Sequence, residues 1–178
     1  MAAKRVTKIA RQVRPTALIY CEGAHDLAFV RHLKKIYASK SVSNTHFTAR
    51  QGGGGAPITL VEDAMRIPGD FDRTMVKMDA DRPKAEYKTA ETLATGRKIT
   101  MSYSDPCLDA LLLTILKPSS DYSLKGSAYC KKEFEGEFIT ANKRSSSLLY
   151  ERFFTRTVLQ EARKHIPELD EIIRYFEA

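Results

Sequence analysis

The chain has 178 residues, of which 43% are hydrophobic and 29% are charged. This balance is typical of a soluble protein that folds around one buried core, and it excludes a largely disordered chain. The longest apolar stretches, such as residues 108–116, run to about ten residues, whereas a helix needs about 20 to span a bilayer. The sequence therefore predicts a single soluble domain without a transmembrane span.

The formal net charge of +7 suggests a polyanionic partner, because lysine and arginine neutralise phosphates and release their counterions. Five positive charges lie within the first fourteen residues, so the rest of the chain carries a net charge of about +2. Net charge alone therefore leaves nucleic-acid binding undecided. The five residues are Lys4, Arg5, Lys8, Arg11 and Arg14.

The N-terminal segment lacks the continuous apolar centre of a secretory signal. We therefore predict a cytoplasmic protein, with an organelle transit peptide as the alternative for a basic, acid-free start. Cys21, Cys107 and Cys130 are odd in number and far apart, and they form neither a CxxC motif nor a Cys/His metal spacing. Reduced thiols in a reducing compartment fit this pattern.

Strand and helix patterns alternate through the first two thirds of the chain. In chain order, the predicted elements are a strand over 17–21, a helix over 27–38 capped by Asp26, a strand over 45–50, a helix over 58–67, a strand over 74–78, a helix over 83–95, a strand over 99–102 and a helix over 107–116. This order predicts an α/β fold, with a mostly parallel sheet covered by helices on both faces. In such sheets, binding sites form at the carboxyl ends of the strands.

The last third of the chain is predicted to extend this core. Residues 118–147 are polar and are expected to form either a loop-rich cover or a short helix between loops. Residues 148–178 carry apolar side chains at helical intervals, interrupted by Pro167, which predicts two packing helices. We therefore expect a basic tail over 1–15 and one domain over 16–178, with its core in 16–117.

Two predicted strands end in acidic residues. Glu22 follows the first strand, and Asp79 and Asp81 follow the third. Because neighbouring parallel strands place their carboxyl ends side by side, these acids are expected to meet, and clustered carboxylates are stable when a cation neutralises them. Oxygen-only ligands favour Mg²⁺ or Mn²⁺, which support phosphoryl chemistry. The alternative is that these are ordinary polar strand ends and helix caps.

Three motifs together resemble a known family. They are Cys21-Glu22-Gly23 before a helix, the later strand with Asp79-Ala80-Asp81, and Ser104-Asp105-Pro106-Cys107-Leu108-Asp109 before a leucine-rich helix. In this order they resemble the RloB-like family of small Toprim proteins of bacterial defence loci, over roughly residues 15 to 135. The resemblance implies a Toprim-like, Rossmann-like fold and a magnesium-dependent endonuclease that hydrolyses phosphodiester bonds of DNA or RNA. It also implies a role in anti-phage defence with an ABC- or AAA-type ATPase partner.

The resemblance also implies roles for single residues. Glu22 is similar to the Toprim glutamate that serves as general acid or base, and Asp79 and Asp81 are similar to the magnesium ligands. Asp26 lies where related nucleases have a further acid, with a helix cap as the alternative. Asp109 stands where the family usually has a glutamate, and Leu108 replaces an aromatic residue. Asp109 is therefore a candidate catalytic residue with a shorter side chain.

Weaker signals point to nucleic acid. His25, beside Glu22, is a candidate phosphate contact, although an exposed turn histidine is the plainer interpretation. Lys125, Lys131 and Lys132 are candidate phosphate ligands, with surface solvation as the alternative. Tyr122 and Tyr129, near these lysines, are candidates for stacking on unpaired bases.

Other functions remain open at this point. Gly52 to Gly55 are typical of a flexible connection rather than of a nucleotide-binding loop, because no GxxxxGK[ST] motif is present. One competing hypothesis is a non-catalytic Toprim-like module that holds nucleic acid and docks on an ATPase. Another is a primase-like polymerase, for which no nucleotide-triphosphate motif is found.

Overall fold

Four parallel strands form one sheet in the order β2-β1-β3-β4. The strands are β1 (Thr16–Cys21), β2 (His46–Gln51), β3 (Arg73–Asp79) and β4 (Ile99–Ser104). The computed structural model describes residues 14–39, 43–138 and 146–178, so nearly all of the expected basic tail lies outside the described residues. The predicted α/β class with a parallel sheet is confirmed.

Helices cover both faces of the sheet, which explains why its central strands are apolar on both sides. One face carries α2 (Pro57–Arg66) and α3 (Lys84–Gly96), packed on side chains that include Tyr20, Val76 and Met78. The other face carries α1 (Ala24–Tyr37), α4 (Leu108–Leu116) and the C-terminal helix α8 (Pro167–Glu177), packed in the larger core cluster. The tyrosine hydroxyl of Tyr175 on α8 donates to the Leu18 carbonyl at 3.1 Å, which fixes α8 against β1.

The remaining helices complete a cover beside α1 and α4. The polar region predicted over 118–147 contains a twelve-residue helix, α5 (Ser127–Phe138), which buries Cys130 and Phe134. The prediction of two C-terminal helices was wrong, because α6 (Ser147–Phe153) and α7 (Arg156–Ala162) precede α8. Thr155 separates the first two of these helices, since its hydroxyl accepts a hydrogen bond from Val158 N–H at 3.4 Å and so caps α7.

Two further features concern the cysteines and the apolar character of the helices. The three cysteines are buried and form no disulfide, as expected for reduced thiols. Within the described ranges, no helix combines the length and apolar character that a membrane span requires.

The strand order places a topological switch point at the centre of the sheet. From β1 the chain moves to β2 on one side and then returns to β3 on the other side, so the connections that leave β1 and β3 diverge. In open parallel sheets the crevice outside such a switch point is the usual ligand site. Glu22 follows β1 directly and Asp79 ends β3, so both acids lie at this crevice.

Candidate functional site

Glu22 and Asp79 meet at the carboxyl edge of the sheet. The backbone N–H of Asp79 donates to Glu22 Oε2 at 3.0 Å, and the backbone N–H of Glu22 donates to the Lys77 carbonyl at 2.9 Å. The Asp79 side chain then accepts a hydrogen bond at Oδ1 from Leu108 N–H at 2.8 Å. The two predicted strand-end acids are therefore joined to each other and to the start of α4.

The turn that carries Asp81 is held by backbone and side-chain contacts. Ala80 N–H bonds to the carbonyls of Ser104 and Pro106 at 2.9 and 3.2 Å. The Tyr87 hydroxyl donates to the Asp79 carbonyl and accepts from Arg82 N–H, both at 3.0 Å. The Asp81 side chain is exposed. This turn therefore presents Asp81 to solvent on a backbone that α3 and β4 fix in place.

Asp26 is buried behind Glu22 and pairs with a buried lysine. Gly23 is the N-cap of α1, so Asp26 is the third helical residue and the prediction that it caps the helix was wrong in position. It accepts a hydrogen bond from the Gly23 backbone, as the third residue of a capping box does. Its Oδ1 lies 3.8 Å from Lys77 Nζ and has no hydrogen-bond partner.

Lys77 is the internal cation of this cluster and is only 1% exposed. Besides the ion pair with Asp26, its Nζ donates to Ser104 Oγ at 2.7 Å and to the Met78 carbonyl at 3.2 Å. Register pairs Cys21 with Lys77 and Asp79 with Ser104, so these side chains share one face of the sheet. A buried charge is stable only when it is paired and hydrogen-bonded, and both conditions hold here.

The acids disfavour one another's ionisation. Burial raises the pKa of Asp79 to about 7, and the charges of Asp26 and Glu22 add to this effect. Burial also raises the pKa of Glu22, with contributions from Asp26 and Asp81. The pKa of Asp26 is raised by burial although Lys77 opposes the shift. Glu22, Asp26, Asp79 and Asp81 therefore form one electrostatic cluster that additional positive charge would stabilise.

Asp109 faces a different group. It is 1% exposed near the start of α4, and its Oδ1 lies 3.8 Å from His25 Nδ1. The His25 ring is not an exposed turn side chain, since it lies in α1 with its centroid 6.0 Å from that of Phe134 and 6.2 Å from that of Tyr150. The buried Asp109 and the partly buried His25 therefore form a pair beneath α5, beside the cluster of the other acids.

The candidate nucleic-acid ligands lie on or before α5. Lys131 is partly buried, and its charge acts on Asp26, so it lies toward the acidic cluster. Lys125 and Lys132 are exposed. Tyr122 is only 6% exposed, which leaves its ring no open face for a base, whereas Tyr129 is 48% exposed. Base stacking therefore stays a prediction for Tyr129 and is wrong for Tyr122.

The glycine-rich connection passes close to Glu22. Gly52 N–H bonds to the Cys21 carbonyl, and Gly54 N–H bonds to the Glu22 carbonyl at 3.2 Å. A Cβ atom at Gly52 would lie 2.9 Å from Tyr20 Cε1, closer than side chains approach. Gly54 and Gly55 have φ values of +73° and +119°, which favour glycine. The glycines therefore let the chain pass tightly over the end of β1.

The donor set fits magnesium in chemistry but does not form a complete cage. Across the three described ranges, no group of three or more His, Cys, Asp or Glu side chains is arranged to hold a metal ion. Magnesium, however, keeps several waters and commonly uses one or two carboxylates together with substrate phosphates. Asp79, Asp81 and Glu22 offer such carboxylates, and their electrostatic repulsion is relieved by a cation.

No protein-family model matches this chain, and no match was found among curated proteins or solved structures. The similarity to RloB-like Toprim proteins therefore stays a prediction.

The sequence analysis missed two residues that contact the acids: Lys77, which pairs with Asp26, and Tyr87, which donates to the Asp79 carbonyl. Lys77 is a lone cation within the apolar run Met75 to Met78, and a charge inside a strand buried on both faces is a signal of a paired internal charge. Tyr87 had no comparable signal, because its role depends on how α3 packs against the end of β3.

Proposed function

We propose that this protein is a magnesium-dependent nuclease that hydrolyses phosphodiester bonds of DNA or RNA. The observation that carries the proposal is the contact between Glu22 and the Asp79 backbone at the switch point of a parallel sheet. It brings acids from two separate strands to the crevice where such folds bind ligands. The order of the three acidic motifs, which resembles RloB-like Toprim proteins, supports the same function.

The residues divide the chemistry among them. A magnesium ion held by Asp79 and Asp81 would supply the charge that polarises a phosphate and activates water. Glu22 has a raised pKa and is partly exposed, so it can hold or release a proton at the leaving or attacking oxygen. Lys131 adds positive charge beside the cluster, where a phosphate would carry negative charge.

Asp26 and Asp109 take supporting roles in this proposal. Asp26 already has Lys77 as its cation, so it acts by placing Lys77 and by raising the proton affinity of its neighbours rather than as a metal ligand. Asp109 orients His25 from beneath α5. Partnership with an ABC- or AAA-type ATPase, a role in anti-phage defence and a cytoplasmic location remain proposals that follow from the family resemblance.

The competing function is a non-catalytic nucleic-acid module that docks on an ATPase. Two observations favour this docking module. The described residues include no group of three side chains arranged to hold a metal ion, and the internal cation Lys77 offsets part of the acidic charge. Metal binding separates the two functions, because the docking module requires none.

The test combines metal binding with cleavage. Calorimetry with Mg²⁺ and Mn²⁺ is run beside cleavage of plasmid DNA and of a tRNA pool, on the wild type and on Asp79→Asn and Asp81→Asn. Asp63→Asn is the matched control, because Asp63 lies on α2 and pairs with Arg66. We expect metal-dependent cleavage that falls by roughly 10²-fold or more in both site variants and is unchanged in the control, because loss of even an outer-shell partner of a metal costs about 10–100-fold. Absence of metal binding by the wild type would contradict the nuclease and leave the docking module.

A further inference from the structure

An exposed apolar patch lies at the start of α5. Leu124 is 85% exposed and Tyr129 is 48% exposed, although both are large hydrophobic side chains. Leu124 and Lys125 lie just before α5, and Tyr129 is the third residue of that helix, which packs over His25. Exposed apolar surface is a candidate binding surface where polar or charged residues border it.

Cations border this patch. Lys125 Nζ lies 5.6 Å from the centroid of the Tyr129 ring, within the range of a cation–π contact. Lys132 follows Tyr129 by three residues in the helix, so the two side chains share a helix face, and Lys132 is exposed. Two of the glutamates of α5, Glu133 and Glu137, pair with Lys117. The patch is therefore aromatic and basic.

Buried side chains and backbone hydrogen bonds fix the segment that carries the patch. Tyr122 is buried, its carbonyl accepts from Lys125 N–H at 3.1 Å, and Cys130 Sγ lies 3.8 Å from the same carbonyl. Tyr129 N–H bonds to the Gly126 carbonyl at 2.9 Å. The turn before α5 is thus anchored by the buried side chains of Tyr122 and Cys130, and binding there requires little ordering of the backbone.

The patch and the acidic cluster lie on opposite sides of α5. Lys131, two residues after Tyr129, acts electrostatically on Asp26, and Phe134 packs against His25. Residues two apart in a helix are separated by about 3 Å along its axis. At about 100° per residue their side chains point to nearly opposite sides of the helix, so a base on Tyr129 lies on the exposed side of α5 while Lys131 faces the acids from the other side.

We propose that Leu124, Lys125, Tyr129 and Lys132, here named the α5 platform, bind single-stranded nucleic acid, with an unpaired base stacked on Tyr129. The inference rests on the proposed nuclease function and names its substrate class. Ring faces accept any base, and flanking lysines contact the adjoining phosphates, which is how single strands are held without sequence readout. A base paired in a duplex cannot offer its face in this way.

Binding is measured by fluorescence anisotropy in metal-free buffer, with labelled single-stranded DNA, single-stranded RNA and duplex DNA of equal length. The full chain is used, so the basic N-terminal segment contributes equally to every variant. A duplex carries the denser charge, so electrostatics alone favours the duplex. A preference for single strands therefore reports stacking on unpaired bases.

The variants separate stacking from general surface effects. We expect Tyr129→Ala to bind single strands about 5- to 150-fold more weakly, which equals ~1–3 kcal/mol at about 1.4 kcal/mol per tenfold change. Tyr129→Phe keeps the ring and is expected to bind within about twofold of the wild type. Leu124→Ala is expected to weaken binding, whereas Leu148→Ala, which alters a side chain that is 73% exposed on α6, is the matched control.

The outcomes are distinct from those of the cleavage test. Equal binding by the wild type and Tyr129→Ala, tighter binding of the duplex, or no nucleic-acid binding at all would each overturn the platform. Single-strand binding that depends on Tyr129, without any metal-dependent cleavage, would support the platform and contradict the nuclease. Comparison of the two single-stranded probes shows whether the platform discriminates RNA from DNA.

Discussion

Replacement of Lys77 by methionine tests whether the buried lysine stabilises the folded acidic cluster. Methionine keeps most of the aliphatic stem and removes the charge that lies 3.8 Å from Asp26 Oδ1. Asp26 is 6% exposed, so the variant leaves a buried carboxylate without its ion-pair partner. Breaking one side of a buried pair costs about 3–5 kcal/mol. Loss of the hydrogen bond to Ser104 acts in the same direction.

Asp26 sets the pH dependence of this cost. Its pKa is raised in the folded protein by burial, and loss of the Lys77 charge raises it further. A carboxyl whose folded pKa is raised destabilises the folded state once the pH exceeds its unfolded pKa, which is about 3.9 for aspartate. The cost of Lys77→Met is therefore smallest near about pH 4 and increases toward about pH 8.

Urea unfolding followed by far-UV circular dichroism measures this cost, since the chain contains no tryptophan. Lys88→Met removes an exposed lysine on α3 and is the matched control. The double variant Lys77→Met/Asp26→Asn removes both charges and is expected to recover at least half of the lost stability. An unfolding free energy of Lys77→Met within about 1 kcal/mol of the wild type near pH 8, or a cost that is the same near pH 4, would rule out a stabilising internal cation.

Two further predictions concern the packing around the site. Gly52→Ala is expected to lower the free energy of unfolding by about 1–3 kcal/mol, because its Cβ would meet Tyr20 and the Cys21 carbonyl. Gly53→Ala is the control and is expected to be neutral, because a Cβ there meets nothing within 4 Å. Equal unfolding free energies of the two variants would contradict the close approach at Gly52. The second prediction concerns His32. Burial lowers the pKa of its imidazole, and its Nε2 lies 2.7 Å from the Phe154 carbonyl oxygen. As the pH falls, the unfolded chain protonates at His32 before the folded protein does. Below about pH 6.5 the wild type therefore loses unfolding free energy relative to His32→Gln, by up to about 1.4 kcal/mol per pH unit. Parallel pH profiles of the two proteins would exclude this effect.

The sheet and most of its helices could be predicted because their signals are local. Apolar runs of four to seven residues alternate with helical patterns, and Pro57 and Pro167 lie at the first helical positions of α2 and α8. The C-terminal helices were harder, because the division between α6 and α7 depends on one threonine cap within a continuous apolar pattern. Helix α5 was ambiguous for the opposite reason, since it buries only two residues and its polar sequence resembles a loop.

The site could be predicted only in part. Strand-end acids follow from the sequence, and the parallel order brings Glu22 to Asp79 as expected. The sequence could not show that Asp109 faces His25, because that choice depends on how α5 packs over α1 and α4. It equally could not show that Tyr122 is buried while Tyr129 is exposed, since both lie in the same polar segment.

The distribution of charge suggests which acids are left for an external cation. Lys77 lies against Asp26 and has Ser104 and a backbone carbonyl as its other ligands, so its charge is directed away from solvent. Asp81 is exposed, and Glu22 and Asp79 are only partly covered. Because Lys77 and Asp26 neutralise each other's charge, Glu22, Asp79 and Asp81 carry the unbalanced negative charge at the crevice. Asp26→Asn should therefore disturb folding more than metal affinity, whereas Asp81→Asn should do the reverse, and calorimetry beside urea unfolding distinguishes the two effects.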